Sequence, residues 1–323
     1  MSVVTAPSRR DTGRAGPTMA QQEERLAYAL LAIPILIVLG LVIFPVIWNI
    51  LLSFQRVRLI ELQNINFLAF RPTLANYERV IGSRGFLTLL RTTLIYASVG
   101  TALPILLGLI AALLARDFFP GRNIWRGFML FPYIAPVVAV AFVWRIMLNA
   151  QFGIINEWSA DWFGAQRISY LGQRSIDLGL PGLHTFPLAL SVVLLFQGWR
   201  YFPFSFLFFL ARLQALPDDL YEAAEVDGAS LTQRFWYITM PQLAGVMGTL
   251  IVLRFIWTFN KFDDIFLLTG GAAGTEVIPV KIYDWLFGRS DVGSAAALSI
   301  VLALILAVLL FIYFRWFFVQ VEE

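Results

Sequence analysis

Six stretches without any charged residue dominate this sequence, and their lengths limit the folds that the chain can adopt. They separate Arg25 from Arg56, Arg91 from Arg116, Arg126 from Arg145, Asp177 from Arg200, Arg234 from Arg254, and Asp291 from Arg315. The shortest has 18 residues and the longest has 30. A helix needs about 20 mostly apolar residues to cross the hydrocarbon core of a membrane. The stretches therefore predict an all-α integral membrane protein with six transmembrane helices, over residues of about 26–55, 88–115, 127–148, 185–212, 242–268 and 292–316.

The composition excludes several other classes of protein. Hydrophobic residues make up 59% of the 323 residues and charged residues 14%, against about 45–50% and about 25% in an ordinary soluble domain. The chain has no Cys and a single His, His184, which excludes a disulfide scaffold, a thiol nucleophile and a Cys/His metal site. Its basic residues are spread along the chain instead of forming a patch. We therefore predict no metal site and no nucleic-acid partner.

The amino-terminal segment is polar, which predicts a flexible tail over residues 1–25 before a transmembrane domain over residues 26–323. The first apolar stretch is much longer than the core of a signal peptide, which has about 7–15 residues. We therefore expect it to be a retained span. Lys and Arg usually favour cytoplasmic loops. Here the loops on the two sides of the predicted membrane domain carry equal numbers of Lys and Arg. The charge pattern leaves the orientation open.

The most acidic stretch of the chain, residues 216–230, lies between the fourth and fifth predicted spans. It predicts a short soluble helix, because Pro217 suits a first helical position and Asp218 and Asp219 complement the positive end of the helix dipole. Gly228 can adopt the left-handed conformation that ends a helix. From this pattern alone the helix could also be an ordinary tether between two spans.

The residue string of this stretch, E-A-A-x-x-D-G-A followed by F-x-x-I-x-x-P, resembles the EAA loop of ABC-importer permeases. The form P-x-D-L-Y-E-A-A-x-x-D-G-A is similar to that of the sugar-permease branch, which includes the maltose-F-like and glycerol-phosphate permeases. Residues 130–136, L-F-P-Y-I-A-P, and residues 260–271, which include N-K-F-D and L-L-T-G-G, resemble further motifs of this family. The resemblance implies a type I ABC importer permease fold with a cytoplasmic coupling loop over residues 216–241. It also implies a multi-pass protein of the bacterial inner membrane with both termini in the cytoplasm.

In this family the EAA helix docks on a separate ATP-binding subunit. The resemblance assigns that contact to a set of six residues: Glu222, Ala223, Ala224, Asp227, Gly228 and Ala229. The chain lacks the phosphate-binding loop G-x-x-x-x-G-K-[ST], so we expect no enzyme activity and no cofactor in this chain. ATP and Mg would be bound by the partner. The implied partners are a second homologous permease, two ATP-binding subunits, an extracytoplasmic solute-binding protein and membrane lipid.

Polar and aromatic residues within the spans predict the substrate site, since they are costly in a membrane and suit the hydroxyls and faces of a sugar. The resemblance to maltose-type permeases places most of them near sugar-contact positions. The predicted residues are Tyr133, Val137, Gln197, Arg200, Tyr201, Phe204, Arg254, Trp257, Asn260, Lys261 and Asp263. Pro132 and Pro136, on either side of Tyr133, predict that the third span is bent and faces a cavity.

Three of these residues, Arg200, Arg254 and Lys261, are cations where the maltose pattern has neutral residues. One hypothesis, which we prefer, is that they are neutralised by Asp263 and Asp264. A second is that they contact an anionic sugar such as a phosphate or sulfonate derivative, and a third is that they line a gate.

We predict a permease subunit of an ATP-driven importer for a sugar or sugar derivative. A separate ATPase would drive alternating access through the EAA helix. The alternative is a self-contained secondary transporter of polar solutes, which would need buried carboxylates for ion coupling and no EAA helix.

Overall fold

The computed structural model of the protein describes residues 19–64, 71–164, 166–177 and 185–317. Their regular structure is helical, and the α-helices are named here in chain order. They are α1 Met19–Val38, α2 Phe44–Ser53, α3 Ala75–Ile81, α4 Phe86–Arg116, α5 Arg122–Ile134, α6 Val137–Met147, α7 Ile154–Phe163, α8 Leu188–Gln214, α9 Asp219–Val226, α10 Leu231–Arg234, α11 Met240–Phe259, α12 Asp263–Thr269, α13 Ile278–Tyr283 and α14 Val292–Phe317. Turns of π-helix over Leu39–Ile43 and Phe235–Thr239 make α1–α2 and α10–α11 continuous.

Among the described residues, five helices are long and apolar enough to cross a membrane: Glu23–Ser53, Phe86–Arg116, Leu188–Gln214, Leu231–Phe259 and Val292–Arg315. The pair α5 and α6 forms a sixth candidate, bent by 92° at a short break. The prediction of an all-α protein with six transmembrane helices is confirmed, and the third span is the bent pair.

The chain divides into two compact units, Met1–Leu51 and Leu52–Glu323. The first contains α1, which begins at Met19. The predicted flexible tail is therefore wrong over residues 19–25. This segment, Met-Ala-Gln-Gln-Glu-Glu-Arg, consists entirely of residues that favour a helix, so the helix extends back from the apolar stretch. Residues 1–18 lie outside the described residues.

In the second unit, α4 packs along α8, and α11 packs against both. The two helices approach closely at Gly108, where an added Cβ would lie 2.6 Å from the Cβ of Ser205. Phe206, Phe209 and Leu243 form part of the fully buried core beside it. Small residues let membrane helices approach closely and gain dispersion contacts, so α4 and α8 form a tightly packed pair behind the candidate site.

The break in the third span follows from its two prolines. Pro136 has no N–H to donate, and a residue before proline is driven out of the helical region. Ala135 is accordingly extended, with φ −61° and ψ 141°. The predicted bend is confirmed, and α6 begins directly after Pro136.

The fifth span differs from its predicted bounds of 242–268. The helix of this span begins at Leu231 with α10, continues through the π turn, and ends with α11 at Phe259. The Asn260 side chain donates to the carbonyl of Ile256 at 2.8 Å, in competition with the backbone. Asp263 and Asp264 then start the separate helix α12, where carboxylates complement the helix dipole. The predicted single span was wrong because these polar residues end one helix and start another.

The acidic stretch forms the short helix α9, as predicted, and Gly228 after it has φ +79°. Pro217 lies before the N-cap residue Asp218, so its predicted place at the first helical position is wrong. Ser230 and Gln233 then form a capping box at the start of α10. Residues 231–241 of the predicted loop therefore belong to the helix of the fifth span.

Candidate functional site

A cavity of about 430 Å³ opens between α5, α8 and the carboxyl end of α11. Seven of the eleven predicted substrate residues line it: Tyr133, Gln197, Tyr201, Arg254, Trp257, Asn260 and Lys261. Thr258 and Ile256 also line it. Thr258 is a polar residue four positions after Arg254 and so lies on the same face of α11, whereas Ile256 is apolar and was not predicted.

Four predicted residues do not line this cavity. Val137 lies on α6, beyond the break in the third span. The ring of Phe204 lies behind those of Tyr133 and Trp257, at centroid distances of 6.2 and 5.2 Å. Asp263 reaches the cavity only through its ion pair with Lys261. Arg200 contacts the backbone of the third span instead, as described below.

Aromatic side chains form one wall of the cavity. Tyr133 and Trp257 are 42% and 47% exposed, whereas Tyr201 is buried and meets Tyr133 edge to face with ring centroids 6.2 Å apart. Exposed aromatic faces beside amide and hydroxyl groups combine an apolar surface with hydrogen-bonding capacity. This wall can accept a ligand that is apolar on one face and rich in hydroxyls at its edges.

A buried polar network lies behind the cavity and centres on Asp264, whose side chain is fully buried. The Tyr201 hydroxyl donates to Asp264 Oδ1 at 3.2 Å. The Gln197 amide satisfies both of its polar atoms when its nitrogen donates to Asp264 Oδ2 at 2.7 Å and its oxygen accepts from Arg254 at 3.0 Å. Tyr96 and Thr258 complete the contacts of Gln197, at 3.1 and 3.2 Å. Asp264 was predicted as a counter-ion, and this network was not predicted, although a second carboxylate in an apolar segment was a signal for it.

The pairing predicted for the three cations holds for one of them. Lys261 Nζ lies 3.0 Å from Asp263 Oδ1 and 4.0 Å from Asp264 Oδ1. For Arg254, within the described part of the chain, no carboxylate oxygen lies within 4.0 Å. Its guanidinium instead lies 4.5 Å from the centre of the Tyr201 ring and donates to Gln197. The predicted ion pair of Arg254 is wrong because Gln197 stands between it and Asp264.

The predicted ion pair of Arg200 is also wrong, for a different reason. Arg200 is buried and donates to the carbonyl oxygens of Pro132 and Ala135, at 3.2 and 3.0 Å. Those carbonyls flank the break between α5 and α6, where proline has removed regular helical donors. Arg200 therefore holds the bent span in place from the neighbouring helix.

The residues predicted to couple the chain to an ATPase lie together on α9 and the turn that follows it. Glu222, Ala223, Asp227 and Gly228 are exposed, and Ala224 and Ala229 are half-buried. The positive φ of Gly228 is a conformation that residues with a Cβ adopt only with strain. The six residues thus form one accessible surface with a tight turn.

Comparison with known proteins identifies relatives along most of the chain. Residues 104–320 match the model of a family described as "Binding-protein-dependent transport system inner membrane component". The inner membrane ABC transporter permease protein YcjO of Escherichia coli (strain K12) is 35% identical over 87% of this chain and 90% of its own length. The trehalose/maltose transport system permease protein MalF of Thermococcus litoralis is 31% identical over 86% and 89%.

A solved structure has a similar fold. A chain of a bacterial ABC transporter involved in the import of the acidic polysaccharide alginate superposes with a TM-score of 0.73. It is 22% identical in sequence, and the match covers 91% of this chain and 95% of the other. The likeness extends over nearly the whole of both chains.

Proposed function

This chain belongs to the family of binding-protein-dependent transport system inner membrane components, and we propose that it is the permease subunit of an ATP-driven importer of sugars. It is a transport subunit and not an enzyme. In such systems a separate subunit hydrolyses ATP, and the full sequence of this chain has no phosphate-binding loop of the G-x-x-x-x-G-K-[ST] type. Its task is to offer a path through the membrane that opens to one side at a time.

The observation that carries the sugar assignment is the wall of the cavity. Exposed faces of Tyr133 and Trp257 lie beside the exposed amide of Asn260 and the partly exposed side chain of Lys261. Pyranose rings have apolar faces that pack on aromatic side chains and hydroxyls that bond with amides. Relatives with matching length carry names that specify sugars, such as trehalose/maltose for MalF.

The balance of charge around the cavity favours a neutral sugar. Two cations line it, Arg254 and Lys261, and two carboxylates stand beside them, Asp263 and Asp264. Gln197 connects Arg254 to Asp264, and Lys261 pairs directly with Asp263. A ligand then needs to bring no charge of its own.

A screen of ligands tests this choice. The solute-binding protein of the same transport system is heated with neutral sugars and with their phosphorylated or sulfonated derivatives, and its unfolding temperature is measured. A neutral sugar should raise it through preferential binding to the folded state. Stabilisation by anionic derivatives alone would overturn the neutral assignment.

The proposed arrangement in the membrane follows from α9. The helix and its Gly228 turn lie on the cytoplasmic side, where they dock on an ATP-binding subunit. Four spans precede α9, so the amino terminus and, after two more spans, the carboxyl terminus are cytoplasmic. The complete importer has a second permease, two ATP-binding subunits that hold ATP and Mg, and an extracytoplasmic solute-binding protein, in a bacterial inner membrane.

Substitutions on α9 test the coupling. Glu222→Lys reverses an exposed charge, and Gly228→Val places a β-branched residue at φ +79°. Both should abolish the stimulation of ATP hydrolysis by substrate and binding protein in the reconstituted complex. Asp161→Lys, which makes the same kind of change on the exposed surface of α7, is the control. Normal stimulation in both α9 variants, or uptake driven by an ion gradient without ATP, would contradict the proposal.

A further inference from the structure

Tyr221 connects the helix α9 to two membrane spans at once. The guanidinium carbon of Arg116, the last residue of α4, lies 3.9 Å from the centre of the Tyr221 ring. The Tyr221 hydroxyl lies 3.0 Å from the hydroxyl oxygen of Thr239, at the end of the π turn that leads into α11. One side chain therefore joins α9 to the second and the fifth span.

The contact with α4 depends on Arg116. Its side chain is only 20% exposed, and a cation stacked on an aromatic face is bound more strongly when water is excluded. Arg116 also lies 3.7 Å from Asp218, but that carboxylate is 86% exposed and such a pair contributes little. The contact between Arg116 and the Tyr221 ring is therefore the stronger of the two interactions that join α4 to α9.

The connection with the fifth span has a second component. Glu225 of α9 pairs with Arg234 at 2.9 Å, and Arg234 lies at the start of the helix that becomes α11. The fifth span thus has two contacts with α9 and follows it directly in the chain. The second span is distant in sequence, and Arg116 is the residue that brings it to α9.

Helix α4 leads from Arg116 to the back of the cavity. It runs without a break from Phe86 to Arg116 and packs along α8. Tyr96 of α4 bonds with Gln197 at 3.1 Å, and a Cβ at Gly100 would lie 3.3 Å from the Gln197 side chain. The helix continues through Pro104, so it connects the Arg116 end to Tyr96 and Gly100, which contact Gln197 in the wall of the cavity.

We propose that Arg116 is a positioning residue that transmits movement of α9 to α4 and so to the cavity. This assignment rests on the proposed docking of α9 on the ATP-binding subunit. It assigns to the second span a mechanical role in energy coupling that the docking surface by itself does not specify.

The test measures how well ATP hydrolysis is converted into transport. Arg116→Gln is reconstituted with its partners, and sugar transported per ATP hydrolysed is compared with the wild-type complex. We expect a loss of about fivefold or more, the lower end for a coupling between two sites. The control is Arg145→Gln, which removes a guanidinium that lies over Phe142 on α6, and it should transport as the wild type does. Wild-type transport per ATP in Arg116→Gln would overturn the proposal.

Variants of Tyr221 separate transmission from a general loss of structure. Tyr221→Phe keeps the ring beneath Arg116 and loses only the hydroxyl that meets Thr239, so its loss should be small. Tyr221→Leu removes the ring and should match Arg116→Gln. A variant that carries both Arg116→Gln and Tyr221→Leu should transport as much sugar per ATP as either single variant, because both changes remove the same contact between Arg116 and the Tyr221 ring. Additive losses would contradict the inference.

Three outcomes separate the role of Arg116 from the docking of α9. If the Arg116→Gln complex does not assemble, Tyr221→Leu decides in its place by the same measure of transport per ATP. If Glu222→Lys and Gly228→Val both retain normal stimulation, the docking of α9 is wrong. If Glu222→Lys abolishes stimulation while Arg116→Gln transports normally, only the role of Arg116 is wrong.

Discussion

Replacing Arg200 by Met should destabilise the bent third span more than it weakens substrate binding. The change removes both donors to the carbonyls of Pro132 and Ala135, which lie 3.2 and 3.0 Å from the guanidinium. Met has a similar length and fills the same apolar surroundings without a hydrogen bond. The resemblance to maltose-type permeases placed Arg200 at a sugar contact instead, so the variant discriminates between two different roles.

The expected magnitude follows from the two carbonyls. Leaving a buried acceptor unpaired costs about 1–3 kcal/mol, or about 2–6 kcal/mol for both. Removing the guanidinium also relieves the cost of burying a charge, which offsets part of this loss. We therefore expect the free energy of unfolding to fall by about 2 kcal/mol, the lower end of this range, which changes the ratio of folded to unfolded protein by about thirtyfold. Lys at this position can donate to one of the two carbonyls, so Arg200→Lys should lower the free energy of unfolding by about half as much as Arg200→Met.

The assay compares unfolding and uptake in the reconstituted complex. Arg200→Met should unfold at a lower temperature or denaturant concentration, and the KM for sugar of the remaining folded protein should be close to that of the wild type. Arg145→Met is the matched control, because this exposed arginine of the same bent span makes a 3.5 Å contact with the carbonyl of Leu267 and lies over the Phe142 ring, and does not hold the break. Normal stability together with a raised KM would refute the structural role and restore Arg200 to the sugar site.

Two further predictions concern the charge pair and the orientation of the chain. Lys261→Gln should lower stability by about 1 kcal/mol or more, because Lys261 pairs with the partly exposed Asp263 and also lies 4.0 Å from the fully buried Asp264. Adding Asp263→Asn should recover part of this loss, since removing both members of a pair costs less than removing one. If unfolding measurements show that the double variant is no more stable than Lys261→Gln alone, the pairing is contradicted. A cysteine at Ser230 should be labelled only from the cytoplasm and one at Gln166 only from outside, which the absence of native Cys makes measurable. Labelling with the reverse pattern would contradict the proposed topology.

Features that depend on neighbouring residues in the sequence could be predicted. The lengths of the apolar stretches were sufficient to find the six spans, because the thickness of a bilayer sets a minimum length. Pro132 and Pro136 predicted the bend, since the missing N–H and the steric restriction act locally. Gly228 predicted the left-handed turn for the same reason.

Features that depend on residues from distant segments were missed. Arg200 bonds with carbonyls 65 and 68 residues earlier in the chain, and no pattern around it identifies acceptors that proline has released. Gln197 lies between Arg254 and Asp264 only because α8, α11 and α12 meet there. The predicted end of the fifth span at residue 268 was wrong for a different reason. Asn260, Asp263 and Asp264 are local signals for the end of α11, but the span was predicted from its apolar length alone.

The arrangement of Asp263 and Asp264 makes the selectivity of this importer easy to alter in evolution. Asp264 is fully buried and holds Tyr201 and Gln197, so its replacement disturbs the scaffold. The side chain of Asp263 is 40% exposed, and its ion pair is with Lys261. A single substitution at Asp263 would remove the nearer of the two carboxylates that face the Lys261 ammonium while the scaffold remains intact. The charge that the cavity presents to a ligand can thus change by one substitution, without rebuilding the helices that surround the cavity.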